Sequence, residues 1–175
     1  MKIPFYILGL LLRYGPQHGY RLKQIIEETV SDFAKIKLPT IYYHLLKLKE
    51  KGYVTDTLDK EGNRPEKLVY SITPSGSEFY NSLFYKQLSE TYSPEFTLDG
   101  VLYFKDTISN EDLKKALSIK KQELQRTIEN VAKHKEITLN HIHEHGKFST
   151  ESVFDHHLMH LEAEYRWLEK TIEGL

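Results

Sequence analysis

The spacing of apolar residues changes period twice along this chain. Ile7, Leu8, Leu10, Leu11 and Leu12, opened by Pro4, predict a helix over 3–14 that is apolar nearly all round and therefore central. Tyr14-Gly15-Pro16-Gln17-His18-Gly19 predicts a turn. Leu22, Ile25, Ile26 and Thr29 then predict a second helix ending near Ser31. Leu38, Ile41, Leu45 and Leu48 recur at steps of three, four and three, the stripe of a third, short helix entered at Pro39 and stopped at Gly52. The period then falls to two. Residues 53–58 and 67–72 read as strands, the second alternating Leu68, Tyr70 and Ile72 against Lys67, Val69 and Ser71. Between them DKEGNRPE is polar and too long for a two-residue hairpin turn, so it reads as an exposed tip. On this pattern three helices precede the first strand.

Helical spacing returns at Thr73-Pro74, an N-cap and first-turn proline, and runs through Phe79, Tyr80, Leu83, Phe84 and Leu88 to about Thr91. Ser93-Pro94 marks the expected boundary between a domain over 1–92 and one over 93–175. In the second, 96–104 is a short apolar segment expected to be helical, and Ser109 opens a long helix in which Asp112 completes a capping box. Leu113, Leu117, Leu124, Ile128 and Val131 stripe that helix, with Lys120 and Lys121 interrupting. The last helix carries an unbroken seam: Phe154, Leu158, Leu161, Tyr165, Leu168 and Ile172 at steps of four, three, four, three and four. The seam favours helices from a second subunit, a twofold homodimer being the common case, over an intramolecular hairpin between 110–140 and 150–173. The fold class is mostly α with a small β-wing: an N-terminal winged helix-turn-helix domain, including a linker helix, and a C-terminal helical dimerisation domain.

Opposite the apolar stripe of the third helix, Thr40, Tyr43, His44, Lys47 and Lys51 project outward, with Tyr42 and Lys49 on the flank. Lysines pair with phosphates, and hydroxyls and imidazole reach phosphate oxygens and base edges in a major groove that admits one helix. Lys60, Arg64 and Lys67 make the following ribbon basic at its tip. Three helices and a basic ribbon place the third helix in the major groove of double-stranded DNA and the tip on an adjacent groove or backbone. Charge agrees: residues 1–76 hold 12 Lys and Arg against 8 Asp and Glu, a net +4, whereas 77–175 hold 12 against 17, a net −5. The absence of cysteine excludes disulfides and thiolate metal sites and fits the cytoplasm. No apolar run approaches the ~20 residues that span a bilayer, so no membrane partner is expected. The first apolar run lacks a small-x-small cleavage site and reads as a buried helix rather than a signal peptide.

Three segments resemble, in order and spacing, the winged-helix domain of PadR-family transcriptional regulators: ILGLLLRYGPQHGYRL (7–22), LPTIYYHLLKLKEKGYV (38–54) and NRPEKLVYSITPSGSEFY (63–80). The remainder, FTLDGVLYF and two long helices, is similar to the helical C-terminal domain of the longer branch of that family, which resembles AphA-type activators. The resemblance implies a homodimer on an inverted-repeat operator, a repressor more often than an activator, with C-terminal helices that form the dimer and leave room for a small-molecule effector. It also implies that Thr40, Tyr42 and Tyr43 meet DNA, that Lys47 lies one turn further on, and that Arg64 and Lys67 lie in the wing. Leu38-Pro39 stands where many members have a glycine, and Tyr43-His44 where Pro-Ala is common, so the base preference need not follow the family's.

His141, His143 and His145 alternate in HIHEHG, and His156 and His160 lie one turn apart, a spacing that can hold zinc. HIHEHG ends at Gly146 as a helix C-terminus would, where imidazolium is favourable, so these read as helix-end and interface histidines. No cofactor is expected. Enzyme chemistry finds no phosphate loop, nucleophile elbow or cysteine nucleophile. Trp167, Tyr165 and Phe154 can line a cavity for an aromatic effector or simply fill an interface. The function read from the chain is sequence-specific transcriptional regulation by a homodimer on a palindromic operator. The alternatives are a winged-helix protein-interaction module or a ligand- or metal-responsive switch without strong base preference.

Overall fold

The computed structural model describes residues 3–29, 36–59, 67–142 and 144–175. They form two compact units, Met1–Tyr92 and Ser93–Leu175. In the first, α1 (Ile3–Tyr14), α2 (Gly19–Thr29) and α3 (Leu38–Glu50) surround one core, into which β2 (Val54–Asp59), β3 (Lys67–Ile72) and α4 (Pro74–Ser89) also pack. Ile7, Leu8 and Leu11 of α1 are fully buried, as expected of a helix with no polar face. Leu22 and Ile26 of α2 and Ile41, Leu45 and Leu48 of α3 converge on them. Each such side chain contributes about 1.5–3 kcal/mol by leaving water.

The predicted turn at 14–19 contains a strand that sequence spacing does not announce. Gln17–His18 forms β1, which pairs antiparallel with β3 through Gln17↔Tyr70 and His18↔Val69. The ribbon is therefore a three-stranded sheet of order β1-β3-β2, and a strand lies between the first and second helices. Two residues are too few to express a period, so the backbone demand of β3 for a partner decides their conformation.

At the end of α3 the chain makes a Schellman turn. Gly52 adopts φ +72°, its amide donates to the Lys49 carbonyl at 2.9 Å, and the Tyr53 amide donates to the Leu48 carbonyl at 2.9 Å. β2 then runs out and β3 returns, paired from Val54↔Ile72 to Asp59↔Lys67. Thr73 caps α4, accepting from the Gly76 amide at 3.0 Å while its hydroxyl donates to the Gly52 carbonyl at 2.7 Å. Gly76 is packed so closely that a Cβ there would collide with the Tyr53 carbonyl and lie 2.8 Å from Ile72 Cγ1. α4 stacks Tyr80 on Phe5 of α1 with ring centroids 5.0 Å apart, and Phe79 on Tyr53 at 4.3 Å.

The second unit is α5 (Asp99–Tyr103), a 3₁₀ turn (Lys105–Thr107), α6 (Asn110–His141) and α7 (Glu144–Glu173). Ser109 caps α6 as its sequence predicts, accepting from the Asp112 amide at 3.1 Å and donating to the Asp112 carboxylate at 2.6 Å. α6 and α7 pack against each other as an antiparallel hairpin. Lys121 meets Glu169 at 2.6 Å near one end, and Lys135 meets Asp155 at 2.6 Å near the other. The Phe154 ring lies edge-on to His134 at 5.4 Å, and Leu168 closes on Leu113 and Leu117.

The intramolecular hairpin set second in the sequence reading is thus present within one chain. Phe154 and Leu168, 1% and 0% exposed, have no surface left to give a second subunit, whereas Leu158, Leu161, Tyr165 and Ile172 remain half-buried. A seam records that a helix needs a partner, not which helix supplies it. HIHEHG also differs from expectation: α6 ends at His141, and Gly146 is a buried residue in the first turn of α7, where a Cβ would lie 3.1 Å from Ile142 Cδ1. His143 lies outside the described residues.

Gly76→Ala is expected to lower stability by about 1–3 kcal/mol, because backbone rather than a movable side chain meets the new methyl. Ser109→Ala is expected to cost about 1 kcal/mol through the lost cap. Urea denaturation followed by circular dichroism measures both, and an unchanged midpoint for either contradicts the packing or capping described.

Candidate nucleic-acid interface

The α3 face opposite Ile41, Leu45 and Leu48 is the candidate interface. Tyr43 is 57% exposed, with its ring edge-on to His44 at 5.1 Å, and His44 and Thr40 are half-buried beside it. Lys47 follows one turn on from Tyr43 and holds Glu50 at 2.7 Å. That hydrogen bond and the carboxylate charge raise the Lys47 pKa above the ordinary lysine value, so it stays cationic. Lys49 spans from α3 to Asp56 of β2 at 2.8 Å, fixing the helix against the ribbon, and points to a structural role. Tyr70, buried beneath them, has its phenol pKa raised first by burial and then by Asp56, so it remains neutral.

Tyr42 faces the start of α2. A Cβ on Gly19 would come 2.6 Å from Tyr42 Cε1 and 2.9 Å from Cζ, so only glycine lets α2 begin this close to the ring. Around Tyr42 is a cleft of about 620 Å³ lined by His18, Tyr20, Arg21, Gln24, Lys67 and Leu68. His18 is held over the base of the ribbon, its Nδ1 3.1 Å from the Leu68 carbonyl and its Nε2 3.5 Å from Asp59. Arg21 is turned along α2 towards Gln24 and Glu28, each at 3.4 Å. Sequence spacing singles out Tyr42 and Lys67 but misses His18, Tyr20, Arg21 and Gln24. The polar flank of α2 next to Gly19 is the one signal that could have found them.

Leu46 is a second omission. It is 54% exposed between Tyr43 and Lys47, off the buried stripe, and offers an apolar surface of the kind that contacts a thymine methyl. Lys60 and Arg64 lie outside the described residues, whereas Lys67 opens β3, exposed and opposite Asp59. In the second unit Tyr165 lines a groove of about 560 Å³ with Ser118, Lys121, Gln122, Gln125, Arg126, Glu129 and Ile172. Trp167 packs on the Leu113–Leu117–Leu168 cluster instead, so the three aromatic residues of the sequence reading do not line one cavity. Among the described residues, no group of three or more His, Cys, Asp or Glu could hold a metal ion, and no helix is long and apolar enough to cross a membrane.

Residues 7–82 match the transcriptional regulator PadR-like family. The negative transcriptional regulator PadR of Bacillus subtilis (strain 168) is 31% identical over 128 residues, covering 72% of this chain and 68% of that protein. The chain belongs to the PadR family of transcriptional regulators. The architecture extends over the whole length of solved PadR-like proteins. B. subtilis PadR in complex with operator DNA superposes with a TM-score of 0.81 at 22% identity, covering 99% of this chain and 98% of that one. The same protein with p-coumaric acid gives 0.75 at 21%, covering 97% and 93%. The Vibrio cholerae virulence activator AphA gives 0.80 at 18%, covering 99% and 97%. The winged helix and the helical second unit are therefore PadR-like in fold.

Gly19→Ala is expected to destabilise the wild-type chain by about 1 kcal/mol, because the methyl displaces the Tyr42 ring, and to be neutral or stabilising in a Tyr42→Ala background. A double-mutant cycle by urea denaturation measures this, and equal effects in the two backgrounds would contradict the close approach.

Proposed function

We propose that this PadR-family protein is a repressor that binds a palindromic operator as a homodimer. The observation that carries the reading is the polar face of α3: Thr40, Tyr43 and Lys47 lie along one outward stripe while the opposite stripe is locked in the core. A helix so anchored presents its side chains with little freedom to lose on entering a major groove. Thr40, Tyr43 and His44 are the base-reading residues of the proposal, and Tyr42 contacts DNA at the edge of the helix. Lys47, Lys60, Arg64 and Lys67 contact phosphate and supply most of the affinity and its salt dependence. Lys47 exchanges Glu50 for a phosphate oxygen when it binds.

The helical unit makes the dimer, with Leu158, Leu161, Tyr165 and Ile172 as the part of the seam still available. A twofold then sets two copies of α3 about 34–36 Å apart, one turn of DNA, so protein symmetry requires an inverted repeat. The sign of regulation follows the B. subtilis relative, a negative regulator, and a small-molecule effector is included because that relative has been solved with p-coumaric acid.

The test is selection of genomic fragments by the purified protein, followed by titration of the recovered site against salt. One inverted repeat bound by two chains is the expected result. Recovery of nothing specific by a folded dimer would move the reading to a partner protein. On the recovered site, Lys47→Ala is expected to weaken binding to all sequences alike and to flatten the log–log salt slope by about 0.9. Tyr43→Ala is expected to relax preference at one base pair, at about 1–3 kcal/mol of discrimination. A sequence-selective loss from Lys47→Ala would contradict the division of roles.

A further inference from the structure

We infer that His156 and His160 of α7 form a surface chelate for a divalent late transition-metal ion, of which Cu²⁺ and then Ni²⁺ fit best. The two residues are four apart on one helix face and both are exposed. Their Nε2 atoms converge to 3.1 Å, with ring centroids 4.6 Å apart and planes at 81°. Imidazole nitrogens bind such ions at about 2.0–2.1 Å, so two on one ion stand about 2.9 Å apart at a right angle and about 3.3–3.4 Å apart at a tetrahedral angle. The observed separation falls between these values. The two Nε2 atoms thus already stand at the separation that one shared ion requires.

Among the described residues no third ligand joins the pair, and this selects the ion. Asp155, the nearest carboxylate in sequence, is committed to Lys135 at 2.6 Å, and His157 lies edge-on to His156 at 5.8 Å. No group of three or more candidate ligands exists among the described residues, so water completes the coordination shell. Structural zinc takes four protein ligands, which disfavours it here. Two imidazoles with water suit the tetragonal geometry of Cu²⁺ and Ni²⁺, and affinity rises from Ni²⁺ to Cu²⁺ in the ordinary order of divalent ions. A bound ion clips two turns of α7 together and stabilises the folded chain by mass action.

Cu²⁺ alone, titrated into the full chain without DNA, tests the assignment independently of the regulator reading. The expected result is a first equivalent per chain with two nitrogen ligands by electron paramagnetic resonance and a rise in thermal midpoint. His156→Gln and His160→Gln should each abolish that first equivalent with unchanged circular dichroism, whereas His157→Gln and His141→Gln should retain it. Ni²⁺ should behave alike at lower affinity. Retention of wild-type Cu²⁺ affinity by both His156→Gln and His160→Gln would overturn the site.

Discussion

The first unit depends on one junction, where α3 ends and α4 begins. Gly52 turns the chain out of α3 in the left-handed region, and its carbonyl receives the Thr73 hydroxyl at 2.7 Å and the Ser75 hydroxyl at 3.1 Å. The Thr73 amide bonds the Tyr53 carbonyl at 3.1 Å, the same carbonyl that excludes a side chain at Gly76. Gly52, Tyr53, Thr73 and Ser75 at the root of the ribbon thus hold the end of one helix, both ends of the hairpin and the start of another helix. Hydrogen bonds of this kind are individually worth about 0.5–1.5 kcal/mol. Their weight here is geometric, because they fix the direction in which α3 and the ribbon leave the core.

From that junction the candidate interface inherits its rigidity. Lys49–Asp56 ties α3 to β2, and the Gly19–Tyr42 approach ties its other end to α2. Between the two anchors lie Tyr43 and Lys47, with Thr40 one turn before Tyr43 on the same stripe. The second unit is organised differently. α6 and α7 run side by side over some thirty residues, and Lys121–Glu169 and Lys135–Asp155 mark their register from the two ends. Half-exposed ion pairs add little stability.

The elements with chemical punctuation are legible in the sequence: Pro4 at α1, Pro39 and Gly52 around α3, Thr73-Pro74 at α4 and Ser109 with Asp112 at α6. Caps and breakers act locally, so a few residues specify them. What the sequence hides is non-local or degenerate. β1 exists because β3 offers a partner some fifty residues away, and Gln17-His18 carries no period of its own. Gly146 reads as a helix stop, yet it serves close packing at a helix start, a different use of the same missing side chain. Within the interface, Thr40, Tyr43, His44 and Lys47 follow from helical phase alone. The cleft of His18, Tyr20, Arg21 and Gln24 around Tyr42 joins α2, α3 and the ribbon, and no spacing rule within one segment reports it.

The exposed α3 face also combines two kinds of group whose physics differ. Lys47 is already paired with Glu50 in the free chain, so a phosphate gains only the difference between two charge-assisted contacts plus the release of counterions. Tyr43, His44 and Leu46 give up no such partner. Tyr43 and His44 brace each other edge to face, and Leu46 meets water. In the proposed complex a base edge with the matching donor or methyl meets these three without displacing a partner, while a mismatched edge leaves polar groups desolvated and unpaired. On the proposed reading, discrimination on this face resides in the middle of α3, and the lysines around it set how tightly any sequence is held.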